Sequence, residues 1–239
     1  MDHDTTPDRA APARACAHVA GRTSADRAAR HRDARGAPTR KASRCVTVAC
    51  LLLLLSPLGA AAGDDAPGAP LPASAVPRWT AAGELVLPEN HRHWVFLGSP
   101  LTPNGLNGGQ AGFPEFHNVY IHPEALRRYQ RDGAFAEGTI LVKELQLTRP
   151  GDGADGSGVE ASGRGYFPGT PNGIDIAVKD SARFAATGGW GFFNFGHHAP
   201  PYAATAAAAP AAACADCHAA NATKEMVFSK FYAPILDAE

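Results

Sequence analysis

Sulfur is scarce in this sequence: 239 residues carry five cysteines and two methionines. Cys16, Cys45 and Cys50 fall in the first fifty residues, so the rest of the chain holds only Cys214 and Cys217. One closely spaced pair makes no disulfide framework, so packing or a bound group must hold the core. No apolar run reaches the length of a single membrane-crossing helix, the longest being Val46–Leu55. Basic excess is missing too. Beyond residue 62 the chain carries 12 Lys/Arg against 18 Asp/Glu, a formal charge of −6. That balance argues against a nucleic-acid partner, which needs a basic surface to release counterions from phosphate. Acidic residues are also absent from one long stretch, between Arg183 and Asp216.

The first forty residues are rich in Ala, Arg and Asp and lack aliphatic periodicity, which predicts a disordered extension over 1–40. Residues 41–62, beginning "KASRCVTVACLLLLLSPLGAAA", have the order of a secretory signal: a basic start, a short apolar run, a Pro/Gly break and small residues. Cleavage after Ala62 and a periplasmic location are expected, with an uncleaved anchor or a downstream start codon as alternatives. Residues 63–77, "GDDAPGAPLPASAVP", read as a linker. A globular domain is expected over 78–239.

Within it, Phe116 to Ile121 predicts a strand, followed by a short helix with Pro123 in its first turn and Gly133 just past its end. "GTILVKELQLTR" has strand spacing and is followed by a Gly/Asp-rich loop after Pro150. "GIDIAVKDSARFAA" predicts a strand with Ile174, Ile176 and Val178 on one face, then a turn capped by Asp180 or Ser181. "GWGFFNFG" is a further, aromatic-rich strand. The sum is an α+β fold, mainly antiparallel β sheet with a few short helices.

Two side-chain patterns carry chemistry. Cys214, Cys217 and His218, in "CADCH", supply two thiols spaced for the two vinyl groups of one haem and an adjacent imidazole for its iron, the pattern of a single covalent haem c. A zinc half-site and a redox cysteine pair are the alternatives. Zinc wants two further ligands, and the nearby His197-His198 pair lacks the usual offset. A redox pair usually opens a helix in a βαβ unit, whereas this one follows an Ala/Pro-rich stretch. The haem segment then forms the C-terminal part of the fold, and a second iron ligand is hard to find. Met226 is the only methionine besides Met1, and it reads as a core residue next to Val227 and Phe228.

In "GTILVKELQLTR", alternation puts Leu141, Lys143, Leu145 and Leu147 on one face and Ile140, Val142, Glu144 and Gln146 on the other. Lys143 is the polar member of an apolar row. It is either an edge-strand lysine reaching water or an amine held against a cofactor, where desolvation would free its lone pair. Glu144 faces the other way, toward solvent or a salt bridge.

The segments "ELVLPENHRHWVFLGSPLTPNGLN", "VYIHPEALRRY", "GTILVKEL", "AVKDSARFA", "WGFFNF", "CADCH" and "MVFSKFY", in that order, resemble the cytochrome P-460 family from about Glu84 to Leu236. The resemblance implies a homodimer, a largely antiparallel β fold and a five-coordinate haem c whose iron is bound by His218 and whose porphyrin is held by Cys214 and Cys217. In the catalytic branch, the lysine matching Lys143 is bonded to a haem meso carbon, and hydroxylamine is oxidised toward nitrous oxide and nitric oxide. Its electrons would pass to a soluble acceptor such as another cytochrome c. A second branch, cytochrome c'-beta, lacks the cross-link, caps the open iron face with aromatic side chains and binds nitric oxide. Plain electron transfer is a third possibility.

Catalytic members hold a carboxylate near the segment before the haem motif, where this chain has mostly alanine. His117 matches the position that often carries a distal arginine, and is either a half-buried strand histidine or part of a proton relay. Phe113, Phe116, Phe192, Phe193 and Phe195 are core aromatics or crowd the pocket. His91 and His93 read as surface or loop-packing residues.

Overall fold

The computed structural model describes residues 69–236. The expected extension, the signal segment and the first part of the linker lie outside the described residues. Five strands form the main sheet: β2 (Val95–Gly98), β3 (Phe116–Ile121), β4 (Ile140–Thr148), β7 (Pro168–Lys179) and β8 (Trp190–Asn194), in that spatial order. Every pairing is antiparallel. A short pair, β1 (Leu85–Val86) with β9 (Thr205–Ala206), lies apart from it. Among the described residues there are three α-helices, α1 (Pro123–Asp132), α2 (Ala215–Asn221) and α3 (Ala233–Leu236), and several short 3-10 turns. None of the described helices is long and apolar enough to cross a membrane.

Local chemistry explains α1. Pro123 sits at its start, the His122 ring accepts from the Glu124 amide at 3.2 Å, and Gly133 ends it at φ 67°. Only a residue without Cβ takes that left-handed position at no cost. After β7, the Arg183 amide donates to the Asp180 carboxylate at 2.9 Å, so Asp180 is the cap of the following turn. The Gly/Asp-rich stretch after Pro150 is more ordered than a plain loop. It forms a hairpin of β5 (Gly158–Glu160) and β6 (Gly163–Gly165), braced by Arg164–Asp152 and Arg149–Glu160 ion pairs. Three-residue strands built around glycine leave no alternation to read in advance.

The sheet is covered on both faces. One hydrophobic cluster joins Val119, Ile121, Leu141 and Phe192 to α1, Ala215 of α2 and the C-terminal Met226–Ile235 segment. The other joins Ile140, Val142, Ile174, Ile176, Val178 and Phe193 to Leu85, Trp79 and Tyr202. The β4 alternation holds through Leu145; a bulge at Gln146 then turns Leu147 outward. β4 lies between β3 and β7, so Lys143 stands on a central strand and not on an edge. Glu144, on the opposite face, is buried, so of the two expected roles, solvent contact and a salt bridge, the structure shows the salt bridge. It is held by the His91 ring at 3.0 Å and Arg92 at 2.8 Å. Burial pushes its carboxyl upward, but the bonds from His91 and Arg92 outweigh that and hold it below the usual range. His91 is thus a buried packing residue, while His93 is exposed.

Ordered packing begins before the expected boundary at residue 78. Leu71 and Ala75 belong to the first cluster. The buried Arg128 guanidinium reaches back from α1 to the carbonyls of Ala69 and Pro70. Alanine and proline dominate this stretch, so composition resembles a linker even though its one leucine is a core residue. Leu71→Ala should lower the unfolding free energy by about 2 kcal/mol in a chemical-denaturation measurement. A linker residue would leave it within about 0.5 kcal/mol of the parent.

Candidate functional site

Pro210 starts a 3-10 turn over Ala211–Ala213, and Cys214 then caps α2. Cys214 and Cys217 are three positions apart on this turn, a spacing that brings side chains to one side of a helix. Neither cysteine is in a disulfide. Burial pushes the Cys214 thiol up, the reverse of what a reactive redox thiolate requires, and no parallel βαβ unit surrounds it.

His218 follows directly. Its Nδ1–H donates to the Met226 carbonyl at 2.7 Å, and its ring lies between Phe192 and Phe228, with centroids 4.5 and 4.9 Å away. The bond at Nδ1 sets the tautomer and leaves the Nε2 lone pair available to a metal. Burial is the main reason that its pKa is lowered, which keeps the imidazole neutral, as a metal ligand must be. The Met226 side chain packs in the core, as expected from its neighbours.

Lys143 is paired with Val119 on one side and Asp175 on the other, and Asp175 with Asn194 beyond it. Directly paired residues share a face, so these four form one row across the sheet. The next row is Ile121, Leu141, Ala177 and Phe192. Phe192 touches His218, so the Lys143 row and the Cys214–His218 segment lie over the same face. Lys143 Nζ is 2.8 Å from Asp175 and 5.0 Å from the centre of the Phe113 ring. Asp175 also accepts from Asn194 at 2.7 Å and from His197 Nε2 at 3.2 Å. Its burial favours the neutral acid. The His197 bond and the Lys143 ammonium outweigh this and hold the carboxyl far below its ordinary range. The charges of Lys143 and Asp175 reach Cys214 and His218 as well.

His117, on the row beyond Lys143, has an Nε2 atom that is buried and has no partner. Burial first, then the Lys143 charge, lowers its pKa to about 4, so this ring is neutral near pH 7. Phe113 meets it edge-on at 5.7 Å. Glu115 is buried nearby in sequence, with one oxygen bonded to Asn172 at 2.8 Å and the other unpartnered.

The fold therefore gathers Lys143, His117, Cys214 and His218 on one side of the sheet. Of the five phenylalanines singled out, Phe113 and Phe192 touch this group. Phe193 and Phe195 belong to the opposite cluster, and Phe116 pairs with Gln146 on that face. His197 is bonded to Asp175 and His198 to the Ala199 carbonyl, so neither completes a zinc site with the cysteines. Among the described residues no group of three or more His, Cys, Asp or Glu side chains is arranged to hold a metal ion. Asp175, Asn194 and His197 are the residues that sequence reading missed. The signal was there for Asp175: with Ile174, Ile176 and Val178 on one face, it must lie on the other. A carboxylate does reach this face, as Asp175 from β7 and not from the alanine-rich stretch before Cys214.

The Asp175 contacts predict a pH window. His197 is raised by its Asp175 bond, so its contribution is complete below the ordinary histidine pKa and fades as pH rises through the higher folded value. Asp175 is lowered, so its contribution is present above the ordinary carboxyl pKa and fades only in stronger acid. Asp175→Asn should therefore destabilise most between about pH 4.5 and 6.5, by about 1–3 kcal/mol, and less at about pH 8. Denaturant midpoints measured across that range check it.

A family model described as Cytochrome P460 matches residues 88–229. The match takes in β2 through the α2 helix, hence both the Lys143 row and the Cys-x-x-Cys-His turn. No curated protein matches the chain. The donor set fits the group that such a family carries: two thiols a helical turn apart and outside any disulfide, a neutral imidazole with Nε2 available, and a polar row on the facing sheet. On this match, which spans more than half of its length, the chain belongs to the cytochrome P460 family of haem proteins.

Proposed function

We propose that this chain is an exported enzyme with a single covalent haem c, which oxidises hydroxylamine toward nitrous oxide and nitric oxide. Cys214 and Cys217 would form the two thioethers and His218 Nε2 would bind the iron. When bound, the haem supplies an open iron position for hydroxylamine and a route for electrons to a soluble acceptor such as another cytochrome c. The observation that carries the reading is the Lys143–Asp175 contact at 2.8 Å, on the face shared with His218.

That contact suits two tasks. A bond from Lys143 Nζ to a porphyrin meso carbon would replace the C–H bond there, so from the neutral amine it would release two protons and two electrons and would need a two-electron oxidant of the peroxide class; Asp175, in contact, would orient the amine. Hydroxylamine oxidation releases protons along with electrons, so a base facing the substrate is required. As an anion of low proton affinity, Asp175 would take such a proton only in passing, and His197, whose side chain is 44% exposed, leads from it to solvent. His117, neutral and with a free Nε2, can hydrogen-bond a small nitrogenous ligand without adding charge to the pocket. A periplasmic site and a homodimer belong to the same reading.

Phe113 favours a second reading, a nitric-oxide-binding protein. Its ring lies against both Lys143 and His117, as expected for an aromatic cap on the ligand face.

Intact mass and absorption of the native protein test the first reading. The expected result is one haem per chain and a Soret band displaced from that of ordinary haem c, with Lys143→Ala restoring an ordinary band while the haem stays attached. Asp175→Asn should lower hydroxylamine turnover by about 10²-fold with haem content unchanged. An ordinary Soret band in the parent protein, together with nitric oxide binding and no turnover with an electron acceptor, would select the second reading.

A further inference from the structure

We propose that Glu225 is a positioning residue for the proximal histidine: it fixes the turn whose next carbonyl, that of Met226, takes the His218 Nδ1–H bond. The inference rests on the reading that His218 binds the haem iron through Nε2.

Lys224 to Val227 is a two-residue turn. The Val227 amide donates to the Lys224 carbonyl at 2.8 Å, and the Lys224 amide donates back to Val227 at 3.2 Å. Glu225, the first of its central residues, has φ 51°, in the left-handed region that such turns reserve for glycine or asparagine. A glutamate there costs on the order of 1 kcal/mol and persists only where its surroundings impose it.

The surroundings are all donors to its carboxylate. One oxygen accepts from the Phe135 amide at 3.1 Å. The other accepts from Lys179 Nζ at 2.7 Å and from the buried Trp190 Nε1 at 3.3 Å. These donors come from the chain after α1, the end of β7 and the start of β8. A short C-terminal turn is thereby tied to the sheet at two points and to the loop after α1 at a third. Glycine in the same place would satisfy the turn and none of the donors.

The consequence appears one residue later. The Met226 side chain and Val227 are buried in the core, and the Met226 carbonyl stands 2.7 Å from His218 Nδ1. That bond orients the ring and makes Nε2 a stronger donor to a metal. If the carboxylate is lost, the turn is free to relax and the carbonyl to move away. The ring between Phe192 and Phe228 would then lose its fixed hydrogen-bond acceptor.

The test uses the haem-loaded protein and three variants, Glu225→Gly, Glu225→Gln and Lys179→Met. The readouts are the iron–histidine stretching band of the reduced protein and the reduction potential. Glu225→Gly removes the strain along with the clamp, so it should fold well. It should still shift the iron–histidine band to lower frequency and the potential to more positive values, because a weaker imidazole donor stabilises ferric iron less. Glu225→Gln keeps an acceptor for Phe135 and should shift both less. Lys179→Met attacks the clamp from β7 and should shift both in the same direction. Band and potential unchanged in all three variants, whatever happens to stability, would leave Glu225 as a plain structural tie and overturn the inference alone. A parent protein without a His218-bound haem would overturn the functional reading and this inference with it.

Discussion

Strand β4 has neighbours on both sides and clusters on both faces, so each charge along it must be met within the protein or else held away from solvent at a cost of several kcal/mol. Lys143 and Glu144 are adjacent and face opposite ways, and the two faces answer them differently. On one side His91 and Arg92 close over Glu144 and make a structural ion pair between the β2 approach and the sheet. On the other, Asp175 meets Lys143 and itself takes bonds from Asn194 and His197. One strand thus carries a pair that closes the fold and a pair that faces the Cys214–His218 segment.

The site face is electrostatically divided. Lys143, Asp175 and His197 form a charged group, held so by mutual contact against the pull of burial. His117 and His218 stay neutral because burial outweighs everything near them, and the Lys143 charge pushes both the same way. A charged group and two neutral imidazoles thus stand together on one face of one sheet.

The C-terminal segment depends on the sheet for its geometry. α2 has seven residues, too few to be stable as a lone helix. Its Ala215 packs in the first cluster, and its histidine is held from both sides by Phe192 of β8 and Phe228 beyond the helix. The thiols and the imidazole lie within five residues of sequence, but their placement against the Lys143 row is a tertiary matter.

The sequence by itself determined the local parts. The Phe116–Ile121 strand, the Pro123-to-Gly133 helix, the β4 and β7 alternations and the Cys-x-x-Cys-His turn all follow from spacing and capping, which act over a few residues. Lys143 stood out for the same reason, as a break in an apolar row. Tertiary structure alone decided that Lys143 lies on a central strand, that the carboxylate in contact with it is Asp175, and that Leu71 belongs to the core. It also decided that Glu225 reaches back to Lys179, Trp190 and Phe135. These contacts join residues distant in sequence through strand register and burial, and register is set by the packing of both faces at once. No window of neighbouring residues contains that information.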